Sequence, residues 1–532
     1  MNTFKKVAQT ASFILFLALL SSVSFTQADP VSLNIFSRLD PALMGIAAIA
    51  GRSFKVFGFP ALIVMLSMLL FGRAFCGHIC PMGATVDFID KGVAKRPGTF
   101  SARTKTVRFV FLAALVVSAV FGMNFSYGLS PLSLSTRFYG LVILPMAALI
   151  SGLALDVFRP LTRMIGWQSA VFSQVATPVF PTQLFLVAFF AGLVFLARFR
   201  TRFFCRFLCP AGALFSIFAR KPLLSRRIAD SCTGCGKCAR ACPMAAIPVK
   251  EPSKTLYYDC ILCGKCEKLC PTNAVSFGFK AGEKKSAEPE NPSRRRILAV
   301  AVAGTAAAVL PAVSNSEAGA PGASHIPVRP PGSVPEDEFL ARCARCGLCM
   351  AACSTNTLRP LWLEAGVAGL FSPGLNTKFA RCDPKCTRCG HACPTGAIRP
   401  LSNEERPWVK IGTAKITKEN CLAWAGKKAC MTCDEVCPYD AIKFFHPKGH
   451  PIAVPRVKSS SCAGCGACES ACPVKTTPAI RVTSEDAVRL SSGSYKEVAR
   501  DRGYDLDLAW QNRKKENPDA MTVDGIAPGF DP

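Results

Sequence analysis

The feature that most restricts this chain is the placement of its cysteines. All 28 fall in short motifs, and none is left over for a disulfide framework of irregular spacing. Cys232, Cys235, Cys238 and Cys242 follow C-x2-C-x2-C-x3-C and are closed by Pro243; Cys260, Cys263, Cys266 and Cys270 repeat the run and are closed by Pro271. In the bacterial two-cluster ferredoxin pattern, three close thiolates hold three irons of one cube and the fourth cysteine reaches the other cube. By that rule Cys232, Cys235, Cys238 and Cys270 hold one 4Fe-4S cluster, and Cys260, Cys263, Cys266 and Cys242 hold its neighbour. Zinc is the ordinary reading of an isolated CxxC pair, and it does not account for four thiolates in so tight a run, twice, each followed by proline.

Four more runs follow. Cys343, Cys346, Cys349 and Cys353 keep the spacing, with Ser354 in place of the proline. Cys382, Cys386, Cys389 and Cys393 have one extra residue in the first gap. Cys421, Cys430, Cys433 and Cys437 open with a gap of eight, and Cys462, Cys465, Cys468 and Cys472 return to the regular form. Drift confined to the first gap is tolerable, because the first cysteine enters from a loop while the trailing C-x2-C-x3-C wraps the cube. The expectation is six 4Fe-4S clusters on 24 cysteines, with a lost or three-iron cluster at the eight-residue gap as the alternative. Among these four runs the fourth ligands are expected to exchange between the outer two and between the inner two.

Hydrophobic residues make up 50% of the chain and charged ones 18%, a balance that points to a membrane-embedded part. Lys5 and Lys6 precede an apolar run from Ala11 to Phe25, a signal peptide or a first helix. Further apolar segments lie near 57–75, 107–124, 138–156 and 183–200, each close to the ~20 residues a bilayer core requires. Lys91, Lys95, Arg96, Arg103, Lys105 and Arg108 cluster in one loop, and Arg198, Arg200, Arg202, Arg206, Arg220, Lys221, Arg226 and Arg227 follow the last segment, so both stretches are expected on the cytoplasmic side. Pro30 to Asp40 is then outside. The net charge of +28 is read as this loop bias, and nucleic acid is not an expected partner.

The expected fold is an α-helical membrane bundle followed by two ferredoxin-like α+β iron–sulfur modules, one with two clusters and one with four. Its parts are a membrane domain at 1–220, with 1–27 as signal peptide or first helix, and a cytoplasmic two-cluster domain at 221–280. A linker at 281–336 carries Ser293-Arg294-Arg295-Arg296-Ile297-Leu298 and an apolar stretch to Val313. That segment reads as an internal twin-arginine export signal or, alternatively, a stop-transfer helix with basic flanks. A four-cluster domain at 337–482 would then lie in the periplasm, and 483–532 reads as a polar tail.

Four cysteines remain, in Phe75-Cys76-Gly77-His78-Ile79-Cys80-Pro81-Met82-Gly83-Ala84 and in Phe204-Cys205-Arg206-Phe207-Leu208-Cys209-Pro210-Ala211-Gly212-Ala213. Cysteines four apart share a helical face, so two such helix ends could present Cys76, Cys80, Cys205 and Cys209 to one redox or metal centre. Small buried cysteines packing at helix ends are the alternative. His78 is a candidate partner for a quinone oxygen or a metal. No CxxCH is present for haem c, and no glycine-rich dinucleotide fingerprint or P-loop points to NAD or ATP.

Residues 1 to about 280 resemble the NapH/MauN-type membrane ferredoxins, on their two CxxxCP motifs and ferredoxin pair. Residues 291 to about 482 resemble the NapG/MauM-type periplasmic four-cluster ferredoxins, so the chain looks like the two fused. The resemblance implies quinol dehydrogenation, with the quinone pool on one side and a periplasmic reductase or cytochrome on the other. Two alternatives stay open: a maturation factor for a periplasmic redox enzyme, and reverse flow from a periplasmic dehydrogenase to quinone. No residue of the sequence stands out as the proton acceptor, so catalytic residues are unassigned.

Overall fold

The computed structural model describes residues 2–25, 34–53, 58–93, 107–164, 180, 183–220, 222–279, 302 and 326–508. The twin-arginine-like segment at 293–313 lies outside these residues except for Val302, as do Lys95, Arg96, Arg103 and Lys105.

The N-terminal part is helical: α1 (Asn2–Phe25), α2 (Ile35–Arg38), α3 (Pro41–Ala50), α4 (Phe59–Phe71), α5 (Ala74–His78), α6 (Pro81–Gly92), α7 (Val107–Val120), α8 (Pro131–Phe138), α9 (Leu144–Met164), α10 (Gln183–Ala197) and α11 (Pro210–Phe218). A π turn at Tyr139–Ile143 joins α8 to α9. Proline stands first in α3, α6, α8 and α11, where its missing N–H costs nothing and its fixed φ suits the first turn. The starts of α3 and α8 are tied together. Asp40 accepts from the Ala42 and Leu43 amides at 3.0 and 3.2 Å, and Ser130 Oγ donates to Asp40 at 2.8 Å.

Among the described residues two helical stretches, Thr3–Val23 and Pro131–Pro160, are long and apolar enough to cross a membrane, and α3, α4, α7 and α10 are shorter apolar helices. Sequence periodicity overlooks α3, whose ten residues fall well short of the ~20 of a span. Several arginines that read as loop charges are in fact buried: Arg108, Arg202, Arg206 and Arg226.

The first module is closed by antiparallel β1 (Ser225–Ile228) and β2 (Val275–Gly278), in register from Ser225 opposite Gly278 to Ile228 opposite Val275. Single helical turns at Lys237–Arg240 and Lys265–Lys268 follow Gly236 and Gly264, whose φ values of 70° and 67° glycine adopts freely. The second module pairs β3 (Leu358–Pro360) with β4 (Pro373–Leu375), β5 (Thr413–Ile416) with β8 (Ile480–Thr483), and β6 (Ile442–Phe445) with β7 (Val454–Val457). The β5–β8 pair encloses β6 and β7, so the third and fourth C-terminal cysteine runs form one nested unit.

This module is larger than the cysteine spacing implies. Ser333 bridges to Ile398, and Arg329 and Arg489 both pair with Glu336, at 2.5 and 2.6 Å. The expected tail is therefore corrected: up to residue 508 it belongs to the module, with Val488, Tyr495, Leu506 and Leu508 buried in its cores.

The two modules lie toward opposite ends of α1. Lys5 pairs with Asp87 at 2.6 Å and lies within electrostatic reach of Cys263, whereas Val23 O accepts from Arg388 at 2.5 Å. At 1.5 Å per residue, Lys5 and Val23 are about 27 Å apart along the helix. The second module also seats on α8: Ser133 donates to Ala344 O at 3.1 Å and Thr136 to Cys346 O at 3.0 Å.

Gly464 tests the nested unit. Its φ is +78°, and a Cβ there would lie 2.6 Å from the Gly412 backbone N and O. Gly464→Ala combines left-handed strain of ~1–2 kcal/mol with a backbone clash, and should lower the thermal midpoint of the purified full chain by several degrees. Gly503→Ala, at φ +67° with open space around it, should shift the midpoint much less; equal shifts would refute the packing described.

Candidate metal centres

In the second module Cys437, Cys462, Cys465 and Cys468 line one cavity of about 340 Å3, and Cys421, Cys430, Cys433 and Cys472 line another of about 400 Å3. Cys343, Cys346, Cys349 and Cys393 line a third, of about 340 Å3. Cys353 is the remaining neighbour of Cys382 and Cys389, and Ser354 beside it reaches Cys386 Sγ at 3.9 Å. The fourth cysteines therefore pass between adjacent runs, first with second and third with fourth. This corrects the outer-with-outer, inner-with-inner exchange: the Ser333–Ile398 bridge encloses the first and second runs, and the β5–β8 pair encloses the third and fourth.

In the first module Cys260, Cys263, Cys266 and Cys242 share a cavity of about 380 Å3, and Cys270 stands near Cys235. Among the described residues no group of three or more His, Cys, Asp or Glu side chains converges as ligands of a single ion. Four sulfurs spread round an apolar cavity suit a cube that each touches at one corner. The residues fit 4Fe-4S clusters, which when bound supply one-electron chemistry.

Bare thiols resist ionisation in these cavities. Burial first, and then the neighbouring cysteines, push Cys266, Cys346, Cys433 and Cys465 up to about 12 and Cys382 to about 11. Buried cations oppose this. Arg226 donates to Cys238 Sγ at 3.3 Å, and Arg406 to Cys382 Sγ at 3.2 Å. Arg345 lines the Cys343 cavity, bound to the Asn124 and Ala368 carbonyls with its guanidinium 4.3 Å above the Tyr127 ring. Lys410 donates to Cys462 O at 2.6 Å. Amide donors add to these: Ala246 to Cys242 Sγ at 3.3 Å and Ala441 to Cys437 Sγ at 3.4 Å. Donors to sulfur favour the thiolate and tune the cluster potential.

Cys76, Cys80, Cys205 and Cys209 are all buried and together line one further cavity, of about 370 Å3, with Arg73, Asp40, Phe75 and Leu132 on its walls. Cys76 lies in α5 and Cys205 in a π turn at Phe204–Leu208, while Cys80 and Cys209 are the N-caps of α6 and α11. His78 is not on the cavity wall. It is half-buried, its Nδ1 is 3.0 Å from Ala74 O, and its ring faces Phe4 at 6.1 Å.

Sequence reasoning missed the arginines here. Arg73 and Arg202 each stand three residues before the first cysteine of their motif, and each is fully buried. Arg73 donates to Cys205 O at 3.4 Å and Arg202 to Cys76 O at 3.2 Å, so each motif's arginine serves the other motif. The shared R-x-F-C-x3-C-P-x-G-A pattern carried that signal.

Family comparisons agree with the clusters. A "4Fe-4S binding domain" family matches residues 56–99 and 182–229, a "4Fe-4S dicluster domain" family matches 231–274 and 428–476, and a second "4Fe-4S binding domain" family matches 340–356. The methylamine utilization ferredoxin-type protein MauM of Methylorubrum extorquens is 37% identical over 206 residues, 37% of this chain and 91% of the relative. Ferredoxin-type protein NapG of Escherichia coli K12 is 34% identical over 210 residues, 37% of this chain and 88% of the relative. Ferredoxin-type protein NapF of the same organism is 36% identical over 155 residues, 29% of this chain and 84% of the relative. The likeness to these relatives falls on the C-terminal part. With its cysteines gathered in fours around apolar cavities, the chain belongs to the family of iron–sulfur, ferredoxin-type electron-transfer proteins that includes MauM and NapG.

Proposed function

We propose that the chain is a membrane-bound quinol dehydrogenase component that joins a NapH/MauN-type membrane ferredoxin to a NapG/MauM-type periplasmic ferredoxin. Quinol would release two electrons and two protons, and the electrons would leave through six 4Fe-4S clusters to a periplasmic reductase or cytochrome. The ligand sets are Cys232, Cys235, Cys238 and Cys270; Cys260, Cys263, Cys266 and Cys242; Cys343, Cys346, Cys349 and Cys393; Cys382, Cys386, Cys389 and Cys353; Cys421, Cys430, Cys433 and Cys472; and Cys462, Cys465, Cys468 and Cys437.

One observation carries the reading: the second module bonds α1 at Val23 through Arg388, whereas Lys5, about 27 Å away along the helix, pairs with Asp87 of α6 and lies within electrostatic reach of Cys263 of the first module, a separation close to a bilayer core of ~30 Å. The apolar helices support it. Phe59, Leu66, Val120, Ile150, Leu184 and Phe195 stand exposed on them, and a continuous apolar exterior is what a bilayer covers. In this arrangement the first module faces the cytoplasm and the second the periplasm, with α1 as a spanning helix.

Anaerobically purified, oxidised protein given a menaquinol analogue should lose its visible cluster absorbance as the clusters are reduced. Clusters that dithionite reduces but quinol leaves oxidised at every potential within their range would refute quinol as donor. The ligand sets make a separate prediction. Cys393→Ala should convert or abolish the cluster held by Cys343, Cys346 and Cys349 and spare the one held by Cys382, Cys386 and Cys389; iron analysis with EPR on the variant distinguishes this from loss of the latter.

A further inference from the structure

We propose that Cys76, Cys80, Cys205 and Cys209 hold a seventh iron–sulfur cluster, shared between the two halves of the helical domain and placed as a relay between the two ferredoxin modules. The inference rests on the cluster reading of the other cysteines but not on quinol as the donor. Each half supplies only two cysteines, so neither can hold a cube alone. Folding brings both pairs to one cavity of about 370 Å3, inside the 340–400 Å3 range of the four ferredoxin cavities.

The cavity is equipped like those sites. Gly212 N donates to Cys209 Sγ at 3.2 Å, and the Met82 and Gly83 amides reach Cys80, so both proline-following helices direct N–H groups at a sulfur, where a helix start favours a thiolate. Glycine is required at both places. A Cβ on Gly83 would lie 2.4 Å from Cys76 O, and one on Gly212 would lie 2.5 Å from the Arg73 guanidinium. Arg73 lines the cavity as Arg226 and Arg345 line theirs, and its Nε has no hydrogen-bond partner although buried.

Buried cations also stand beside the four sulfurs. Asp259 takes ion pairs from both Arg73 and Arg108, at 3.1 and 2.7 Å, and Asp87 takes pairs from both Arg202 and Lys5, at 2.7 and 2.6 Å. Four cations are thus shared between these two carboxylates, with Asp90 on the Arg202 amide and Asp40 on the cavity wall as further acidic groups; Arg73 and Arg202 are the cations within electrostatic reach of Cys76 and Cys205, and buried charge needs compensation. An oxidised 4Fe-4S core with four thiolates is a dianion and would supply it. Asp40 is already engaged: its carboxylate caps α3 and accepts from Ser130.

Position assigns the role. The four cysteines share one apolar cluster with Cys263, Cys242 and Cys260, and Gly77 packs against Ile261. On the other side Leu132 lines the cavity, while Ser133 and Thr136 of the same helix bond Ala344 O and Cys346 O. One electron entering from either module would leave to the other, with no net chemistry at the site.

Iron, sulfide and metal analysis of anaerobically purified full-length protein should give about four iron and four sulfide beyond the roughly 24 of each that six clusters need. Cys76→Ser/Cys209→Ser should lose about that increment and one EPR signal while the ferredoxin signals persist. Wild-type protein at about 24 iron, a stoichiometric copper or zinc ion in place of the increment, or a double variant with unchanged iron and EPR would each overturn the proposal. Should the double variant lose every cluster, the wild-type count still decides. Failure of menaquinol to reduce any cluster, with the increment present, would count against quinol alone.

Discussion

Four thiols enclosed in an apolar cavity cannot all ionise unless positive charge is held among them, and the whole molecule is arranged around that constraint. Burial and mutual repulsion raise Cys346 and Cys465 to about 12, so the binding form of these sites exists only with the cluster's iron in place, and cluster binding contributes to folding as it does in other metal-dependent domains. The protein's own contribution is a lining of donors. One guanidinium or ammonium accompanies most of the cysteine sets: Arg226, Arg345, Arg406, Lys410 and, in the helical domain, Arg73. These cations are among the most deeply buried side chains of the chain, which is sustainable only next to anions or well-placed carbonyls.

That requirement explains why some of the site was legible from sequence and some was not. The leading C-x2-C-x2-C is a local motif whose spacing is itself the geometry, so the triads that start at Cys260 or Cys462 could be read directly. Exchange of the fourth ligand is a tertiary matter. Cys437 reaches the Cys462 cavity across the unit that the β5–β8 pair closes, and Cys393 reaches the Cys343 cavity within the stretch that the Ser333–Ile398 bridge closes, and no spacing records those pairings. Counter-ions were hidden by a rival interpretation. Arg108, Arg202 and Arg226 flank apolar segments and so pass for cytoplasmic loop charge, yet each is turned inward.

Boundaries failed for a similar reason. Residues 484–508 look like a polar tail because only a few of their side chains are apolar, but Val488, Tyr495, Leu506 and Leu508 are the ones that enter the core. Arg489 adds a pair with Glu336, tying the module's end to its beginning. Likewise α3 is too short to register as a span. It is nevertheless held at its first turn by Asp40 and Ser130, next to the four-cysteine cavity.

The seam between the second module and the helical domain couples docking to cluster geometry. Ser133 and Thr136 donate to carbonyls of the loop carrying Cys343 and Cys346, and Arg345 from that loop binds Asn124 O on the helical side. Gly347 fits the seam because it has no side chain: its φ is +82°, and a Cβ would lie 3.1 Å from Leu141. In an apolar setting each unmet carbonyl or donor costs several kcal/mol, so the loop cannot withdraw from α8 without leaving polar groups unpaired on both sides. The same contacts therefore shape the first cluster site of the second module and fix it against the helix that lines the four-cysteine cavity. Electron transfer depends on such fixed spacing, and hydrogen bonds of the loop that carries Cys343 and Cys346 hold that loop directly against α8.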